Sequence, residues 1–375
     1  MKAGRLCQSL FAIAVLLGAT LAAQNRPRAR DLGIAPGAGS PGALNAITDV
    51  AGVRVGHTTI VSGENVRTGV TAVLPHGGTL FREKVPGAVF VGNAFGKLAG
   101  STQVQELGTI ESPIVLANTL SVGTAIEATV RWTLAQAGNE DVRSVNALVG
   151  ETNDGGLNDI RGLHVTREHV LSAINGATDG AVEEGVVGAG TGTTAFGWKG
   201  GIGTSSRIVQ QQSDRWTVGV LVQTNYGGKL TIAGVPVWKE LSTRSNAGAP
   251  DDADGSCMIV VATDAPLDAR DLERLAARAI YAMARTGSTY SNGSGDFAIA
   301  FSTHPSLRVT GGGGPQPRSI LPTDSISGLF EAAMDATEEA IYNSLLRATD
   351  VTGNGRTVRA LPVDALQTLL KKYGR

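Results

Sequence analysis

Four short polar residues set among glycines, Asn225, Ser256, Ser294 and Asp296, are of the types and at the spacing that can do chemistry. Ser256 sits in Asp254-Gly255-Ser256-Cys257, directly before the apolar run at 258–263. A Gly-Ser pair leading into a β-branched run is ordinarily a turn at the start of a strand. The same pair also suits backbone self-cleavage. Breaking the Gly255–Ser256 bond would leave Ser256 as an N-terminal residue, its hydroxyl beside its own α-amino group. That is a nucleophile with a built-in base and no need of histidine. An α-amine has a reference pKa of about 7.7–8, so near neutral pH a substantial fraction can accept the hydroxyl proton. Ser294 and Asp296, two apart, can orient such an amine, and Asn225 can offer its side-chain N–H to an oxyanion. On pattern alone, Ser294-Gly295-Asp296 also reads as a turn whose Asp accepts backbone N–H groups.

The elements that must position these residues are clearest after Ser256. The run at 258–263 reads as a strand, and Asp264 is expected to cap a helix starting at Ala265, with Pro266 in its first turn. Leu272, Leu275, Ala276, Ala279, Ile280 and Met283 form the apolar face of that helix, and Gly287 stops it. The loop at 288–296 then leads into a strand, FAIAFST. Strand, helix, loop and strand bring Ser294 and Asp296 beside Ser256 if the two strands pair. Upstream, short strands are expected at 53–61, 69–78, up to Asn93, at 112–118, from Val145 into a Gly-Asn-Asp loop, and at 216–228. Helices are expected at about 122–137, with Ile126, Val130, Thr133 and Leu134 on one side, and at 167–176. Two more are expected at about 326–347, with Phe330, Ala333, Met334, Ile341 and Leu345 inward, and at 363–372. The sum is a layered α/β domain without internal repeat.

Composition narrows the class. Hydrophobic residues make up 42% of the 375, enough for a sizeable core, and the 50 glycines imply many tight turns and close backbone approaches. The net charge of −1 supplies no basic field for nucleic acid. Lys2 and Arg5 precede an apolar stretch at 10–23 that ends in small residues, the shape of a secretory signal cut near Ala22 or Ala23. Its core is too short for a permanent membrane span. A periplasmic or secreted location in a bacterium follows as an expectation. Without residues 1–23 the only cysteine is Cys257, so no intramolecular disulfide can form. Residues 24–41, rich in Arg, Pro and Gly, read as a linker or extended arm, and 42–375 as one domain.

Common signatures of other chemistries are missing. The sequence has neither HExxH nor CxxC, and its five histidines are dispersed. His76, in LPHGG, reads as a structural or surface histidine ahead of a general base. Ser294 lacks the first glycine of a G-x-S-x-G elbow. GNAFGKL is one residue short of a phosphate loop, and Gly188-Ala189-Gly190-Thr191-Gly192 lacks the spacing of a dinucleotide site.

Eight blocks then carry a resemblance that covers nearly all of the chain beyond residue 23. They are ITDVAGVRVGHTT, RTGVTAVLPHGG, SPIVLANTLSVGT, ETNDGGLNDIRGLHV, VGAGTGTTAFGWKGGIGTSSR, LVQTNYG, DGSCMIVVATDAPL and SNGSGDFAIAFST. In this order they resemble the self-processing aminopeptidases of peptidase family S58, which include the L-aminopeptidase/D-amidase and the β-peptidyl aminopeptidases. The resemblance implies a four-layer αββα sandwich, similar to N-terminal nucleophile hydrolases but differently connected. It implies cleavage between Gly255 and Ser256 into chains 24–255 and 256–375, which stay together in a homotetramer. Ser256 would be the nucleophile and Ser294 and Asp296 its orienting pair, Asp296 standing where β-aminopeptidases tend to carry Glu. The Asn225 side chain and the Gly295 backbone N–H would hold the oxyanion. Asn153 stands where comparable members carry a Tyr whose hydroxyl helps hold oxyanion or substrate, so substrate preference is expected to differ.

Two readings follow. One is a serine aminopeptidase releasing an N-terminal residue from short peptides, amides or esters through an acyl-Ser256 intermediate, without metal or organic cofactor. An amide-oligomer hydrolase of related fold is its near variant. The other, motivated by Asn153, is a non-catalytic oligomeric scaffold or binding protein of the same fold.

Overall fold

A computed structural model describes residues 26–211, 213–241, 255–311 and 313–375. The expected N-terminal signal at 1–23 and Asp254 lie outside these residues. The strands in chain order are β1 (Arg54–Ser62), β2 (Val66–Leu74), β3 (Glu83–Ala94), β4 (Leu98–Ala99), β5 (Thr109–Ile110), β6 (Ile114–Asn118) and β7 (Leu148–Thr152). They continue with β8 (Thr194–Ala195), β9 (Trp198–Lys199), β10 (Ile202–Gln211), β11 (Asp214–Asn225) and β12 (Ser256–Thr263). The last are β13 (Gly295–Ser302), β14 (Val309–Thr310), β15 (Val351–Gly353) and β16 (Arg356–Val358).

One sheet runs β1-β2-β6-β7-β4 and the other β10-β11-β12-β13-β3-β14, with β5 added on β3. Helices Val122–Leu134 and Arg167–Asn175 cover the first sheet, and Ala269–Thr286 and Ser327–Leu346 cover the second. Three apolar cores separate the layers. The middle one, with Val73, Leu116, Leu148, Met258, Val260 and Phe301, lies between the sheets. This is the expected αββα sandwich. No helix among the described residues is long and apolar enough to cross a membrane.

The second sheet positions the site. β12 and β13 pair in parallel, Ser256 opposite Gly295 and Cys257 opposite Asp296, and every residue of both strands is buried. The Ala269–Thr286 helix makes the crossover between them, the connection that parallel neighbours require. Its expected apolar face is buried throughout, and Gly287 ends it in the left-handed region at φ 100. Its start differs from the expectation. Asp264 Oδ1 instead accepts the Thr217 N–H, and Asp268 caps the helix by accepting from the Asp271 N–H at 3.0 Å. A carboxylate engaged across the sheet cannot also close a helix four residues further on.

Two other helices pack differently from their sequence pattern. On Val122–Leu134 the buried face is Val122, Ala125, Ala128, Thr129 and Thr133, while Leu134 is exposed. Small side chains bring this helix close to its sheet, and the two threonine hydroxyls donate to the carbonyls four residues back. Ser327–Leu346 is covered on almost every side, and Phe330 and Met334 are only half-buried.

Its extra cover comes from the N-terminal arm. Residues 26–45 lie along this helix and along the edge strand β10. Arg26 donates to Leu346 O and Leu361 O, and Arg28 ion-pairs with Glu184 at 2.8 Å. Arg30 bonds both oxygens of Glu339. The arm also explains why β10 is hard to see in the sequence. Thr204, Ser205, Ser206 and Arg207 are buried polar residues whose side chains bond neighbouring strands and arm backbone, for example Ser206 Oγ accepting from Gly42 N–H and Thr204 Oγ1 from Ile47 N–H. Their apolar alternation is lost, yet every one of these side chains is hydrogen-bonded, with Arg207 Nε the one atom among them left without a partner among the described residues.

Candidate active site

The site lies where β11, β12 and β13 end side by side. Ser256 is opposite Asn225 on one flank and Gly295 on the other, so strand pairing alone draws together residues far apart in sequence. Ser256 is buried, with its Oγ–H donating to the Gly255 carbonyl oxygen at 2.7 Å. The Gly295 N–H donates to the same oxygen at 3.0 Å. The carbonyl between Gly255 and Ser256 thus carries a backbone donor on its oxygen with the serine hydroxyl against it. A side chain at Gly255 would stand 2.0 Å from Asn225 O, so only glycine passes this point.

Ser294 donates its hydroxyl to Asp296 Oδ1 at 2.9 Å. Asp296 is fully buried, and its Oδ2 has no hydrogen-bond partner among the described residues. Burial pushes its carboxyl up to about 6, although the bonds from Ser294 and the Cys257 N–H hold it back from rising further. Among the described residues no charged side chain contributes to this shift. Burial also pushes the Cys257 thiol and the Tyr226 phenol well above their usual ranges.

Asn225 is gripped from two sides. Its Oδ1 accepts from Thr194 N–H at 3.0 Å, and its Nδ2 donates to the backbone carbonyl of Asn153 at 3.0 Å. The amide is therefore oriented by two loops, with one of its two N–H bonds used. Asn153 meets Asn225 only through its backbone, because its side-chain Oδ1 turns back onto Gly155 N–H at 2.9 Å. The glycine-dense stretch carrying Thr194 is a packing device. A Cβ on Gly192 would lie 2.1 Å from Arg67 O, and one on Gly190 2.5 Å from Ile202 N. Beneath it the buried Lys199 donates to Gly190 O and Gly200 O, and burial pulls its pKa down to about 7.

A cavity of about 610 Å³ opens over Ser256 and is lined also by Phe95, Lys97, Glu151, Asn153, Asn225 and Arg356. Glu151, which sequence reasoning missed, is its only carboxylate among the described residues. Glu151 is almost fully buried; it accepts from the Lys97 N–H at 2.9 Å and from the Thr119 hydroxyl. The Lys97 ammonium is 3.8 Å away. Its signal was an acid at the end of β7, inside the ETNDGG block. His76 lies elsewhere, buried, with Nε2 on Glu83 O and Nδ1 accepting from Gly78 N–H; it is structural.

The model of peptidase family S58 matches residues 45–358. The chain belongs to that family. Among curated relatives, beta-peptidyl aminopeptidase BapA of Sphingosinicella microcystinivorans is 45% identical over 97% of this chain and 96% of its own. Among solved structures, a Burkholderia sp. beta-aminopeptidase is 40% identical with a TM-score of 0.86, covering 93% of this chain and 99% of its own. The L-aminopeptidase D-Ala-esterase/amidase of Ochrobactrum anthropi is 37% identical with a TM-score of 0.87, over 93% of this chain and 99% of its own. That structure is described as a prototype for the serine aminopeptidases and a new variant among the Ntn hydrolase fold. As a member of S58 the chain is a serine aminopeptidase, a hydrolase, and the non-catalytic scaffold reading falls away.

Proposed function

We propose that this member of S58 is an exported, self-processing aminopeptidase that releases N-terminal residues, β-residues among them, from short peptides, amides or esters. The observation that carries the reading is the double contact on one carbonyl: Ser256 Oγ–H and Gly295 N–H both on Gly255 O. In self-cleavage Ser256 Oγ bonds to the Gly255 carbonyl carbon, and the peptide C–N bond breaks. The hydroxyl proton passes to the departing Ser256 nitrogen, and water hydrolyses the resulting ester. The products are the Gly255 carboxylate and a Ser256 bearing a free α-amine.

Turnover repeats this chemistry on substrate. The α-amine takes the Oγ proton as Oγ attacks the substrate carbonyl. Gly295 N–H and the second Asn225 N–H steady the oxyanion. The leaving amine departs with the proton, and water hydrolyses acyl-Ser256. Asp296, bonded to Ser294 and with one oxygen unpartnered, is the group that holds the Ser256 amine. Glu151 receives the substrate ammonium in place of Lys97. The β-residue preference is supported by the names of the Sphingosinicella and Burkholderia relatives. The side chain of Asn153, folded onto Gly155, also leaves open the wall where the larger Tyr of comparable members would stand. That room suits a substrate with one more backbone methylene. Export is supported by the N-terminal segment, and a homotetramer by the family resemblance.

The test is a denaturing gel with N-terminal sequencing. Wild-type protein should give two chains, the smaller beginning Ser-Cys-Met, and Ser256→Ala one inactive chain. Processing of Ser256→Ala at the same bond would mean that another protease cuts, and would end the self-cleavage reading. In a panel of aminoacyl p-nitroanilides, β-alanine should outrun L- and D-alanine; the reverse order would remove the β preference.

A further inference from the structure

Lys199, at the end of β9, is fully buried and takes no part in the chemistry described above. β8 and β9 form a small hairpin outside both large sheets, with Thr194 opposite Lys199. Two bonds from the ammonium close the base of this hairpin, to Gly190 O at 2.9 Å on the incoming limb and to Gly200 O at 2.7 Å on the outgoing one. Between them the Gly200 N–H donates to Thr193 O at 3.2 Å. The next residue is Thr194, whose N–H donates to Asn225 Oδ1. The other grip on Asn225 is Asn153 O, and the neighbouring Asp154 is a second buried ionisable group. Asp154 Oδ1 accepts from Asn158 Nδ2 at 3.0 Å, which closes the loop at 153–158. A Cβ on Gly192 would stand 2.9 Å from Asp154 Cβ, so the two loops that grip Asn225 rest on each other.

Burial disfavours both charges. It pulls Lys199 down to about 7 and pushes Asp154 up to about 6, and Asp154 is the charged group that raises Lys199 in return. Desolvating an ammonium is costly, and a neutral donor could bridge two carbonyls without that cost. A charge kept at such a place points to a role beyond packing. We infer that Lys199 is a positioning residue for the oxyanion site: with Asp154 it fixes the two loops that hold Asn225, so that the unused N–H of that amide is aimed at the substrate carbonyl. The inference rests on the oxyanion role proposed for Asn225. Self-cleavage makes no use of this amide. The Gly255 carbonyl oxygen accepts from Ser256 and Gly295, while the Asn225 amide is bonded to Thr194 and Asn153. Lys199 should therefore matter for turnover and not for processing.

The experiment is a double-mutant cycle of Lys199→Met and Asn225→Ala, read on the best substrate of the aminoacyl p-nitroanilide panel. Both single variants should still give two chains on a denaturing gel, which reports that they have folded. Asn225→Ala should lower kcat about 10²–10³-fold, the loss of one oxyanion donor. Lys199→Met should lower kcat by roughly 10–100-fold and change KM by less than about twofold. In the Asn225→Ala background the same substitution should change kcat by less than about twofold, because no amide is left to misaim. Should Lys199→Met stay unprocessed, Asp154→Asn carries the comparison with the same signs. If neither of these is processed, or if Asn225→Ala is not, the inference is overturned. A full kcat in Lys199→Met, or equal losses with and without Asn225, overturns the role of Lys199 and leaves the oxyanion role of Asn225 standing. Undiminished kcat in Asn225→Ala overturns both.

Discussion

Two fully buried carboxylates in this protein have opposite surroundings. Glu339, on the Ser327–Leu346 helix, accepts from Arg30 Nε and Asn45 Nδ2 on Oε1, and from Arg30 Nε and Arg207 Nη2 on Oε2. Asp296, on β13, accepts from Ser294 on one oxygen and has no partner on the other. No cationic side chain bonds it or forms an ion pair with it among the described residues. A buried charge without enough partners raises the free energy of the fold, so a satisfied carboxylate reads as structure and an under-satisfied one as function. The first locks the N-terminal arm to the body. In the proposed function, the second would hold the amine that cleavage before Ser256 creates.

The comparison can be broken by experiment. The largest effect is expected from Asp296→Asn, which should lower kcat/KM by ~10²–10⁴-fold, the range of a lost acid–base group. In the wild type, activity should fall toward acid pH in two steps, first as the Ser256 amine protonates and can no longer take the Oγ proton, then as Asp296 protonates and can no longer hold the amine. The variant should keep the limb that belongs to the amine and lose the one that belongs to Asp296. The same shift has a sign in stability. A carboxyl raised from 3.8 to about 6 destabilises the fold increasingly as pH rises across that interval and fully above it. On the uncleaved Ser256→Ala background, Asp296→Asn should therefore stabilise at pH 8, by up to about 3 kcal/mol, and change nothing below pH 4. Urea denaturation at the two pH values reads this; a loss of stability at pH 8 would contradict the account of Asp296.

Glu339→Gln should do the reverse. It leaves Arg207 buried without its counter-charge and should cost about 3–5 kcal/mol in denaturant unfolding. The surviving folded enzyme should keep the acidic limb of its pH profile. The smallest effect is expected from Ser294→Ala, roughly a 10–100-fold loss in kcat/KM, since it removes one orienting hydrogen bond at about 1.4–2.8 kcal/mol. With the bond that restrains the Asp296 carboxyl gone, the step that belongs to Asp296 should move to higher pH. A step that stays in place would separate Ser294 from Asp296.

Much of this was legible before the fold was known, because it depends on local order. Ser256 ahead of an apolar run, the crossover helix stopped by Gly287, and the return through Ser294 to Asp296 lie within 41 consecutive residues, 256–296. Strand, helix and strand at that spacing have one favoured arrangement, a right-handed parallel crossover, and it sets Ser256 opposite Gly295. Asn225 is the next strand's contribution, placed by simple antiparallel pairing.

Only the tertiary structure decided what depends on distant partners. Glu151 is an acid among 33 acidic residues until β7 brings it to the cavity beside Lys97. Lys199 is one of 32 basic residues until a small hairpin buries it beneath the loop that holds Asn225. The polar strand β10 becomes a buried edge only because the arm covers it. The ionisation of Asp296 likewise follows from burial, a property of layers packed in three dimensions that spacing along the chain does not encode. Residue order set the reacting groups and the strand ends that carry them; long-range packing set their charges and what the cavity can hold.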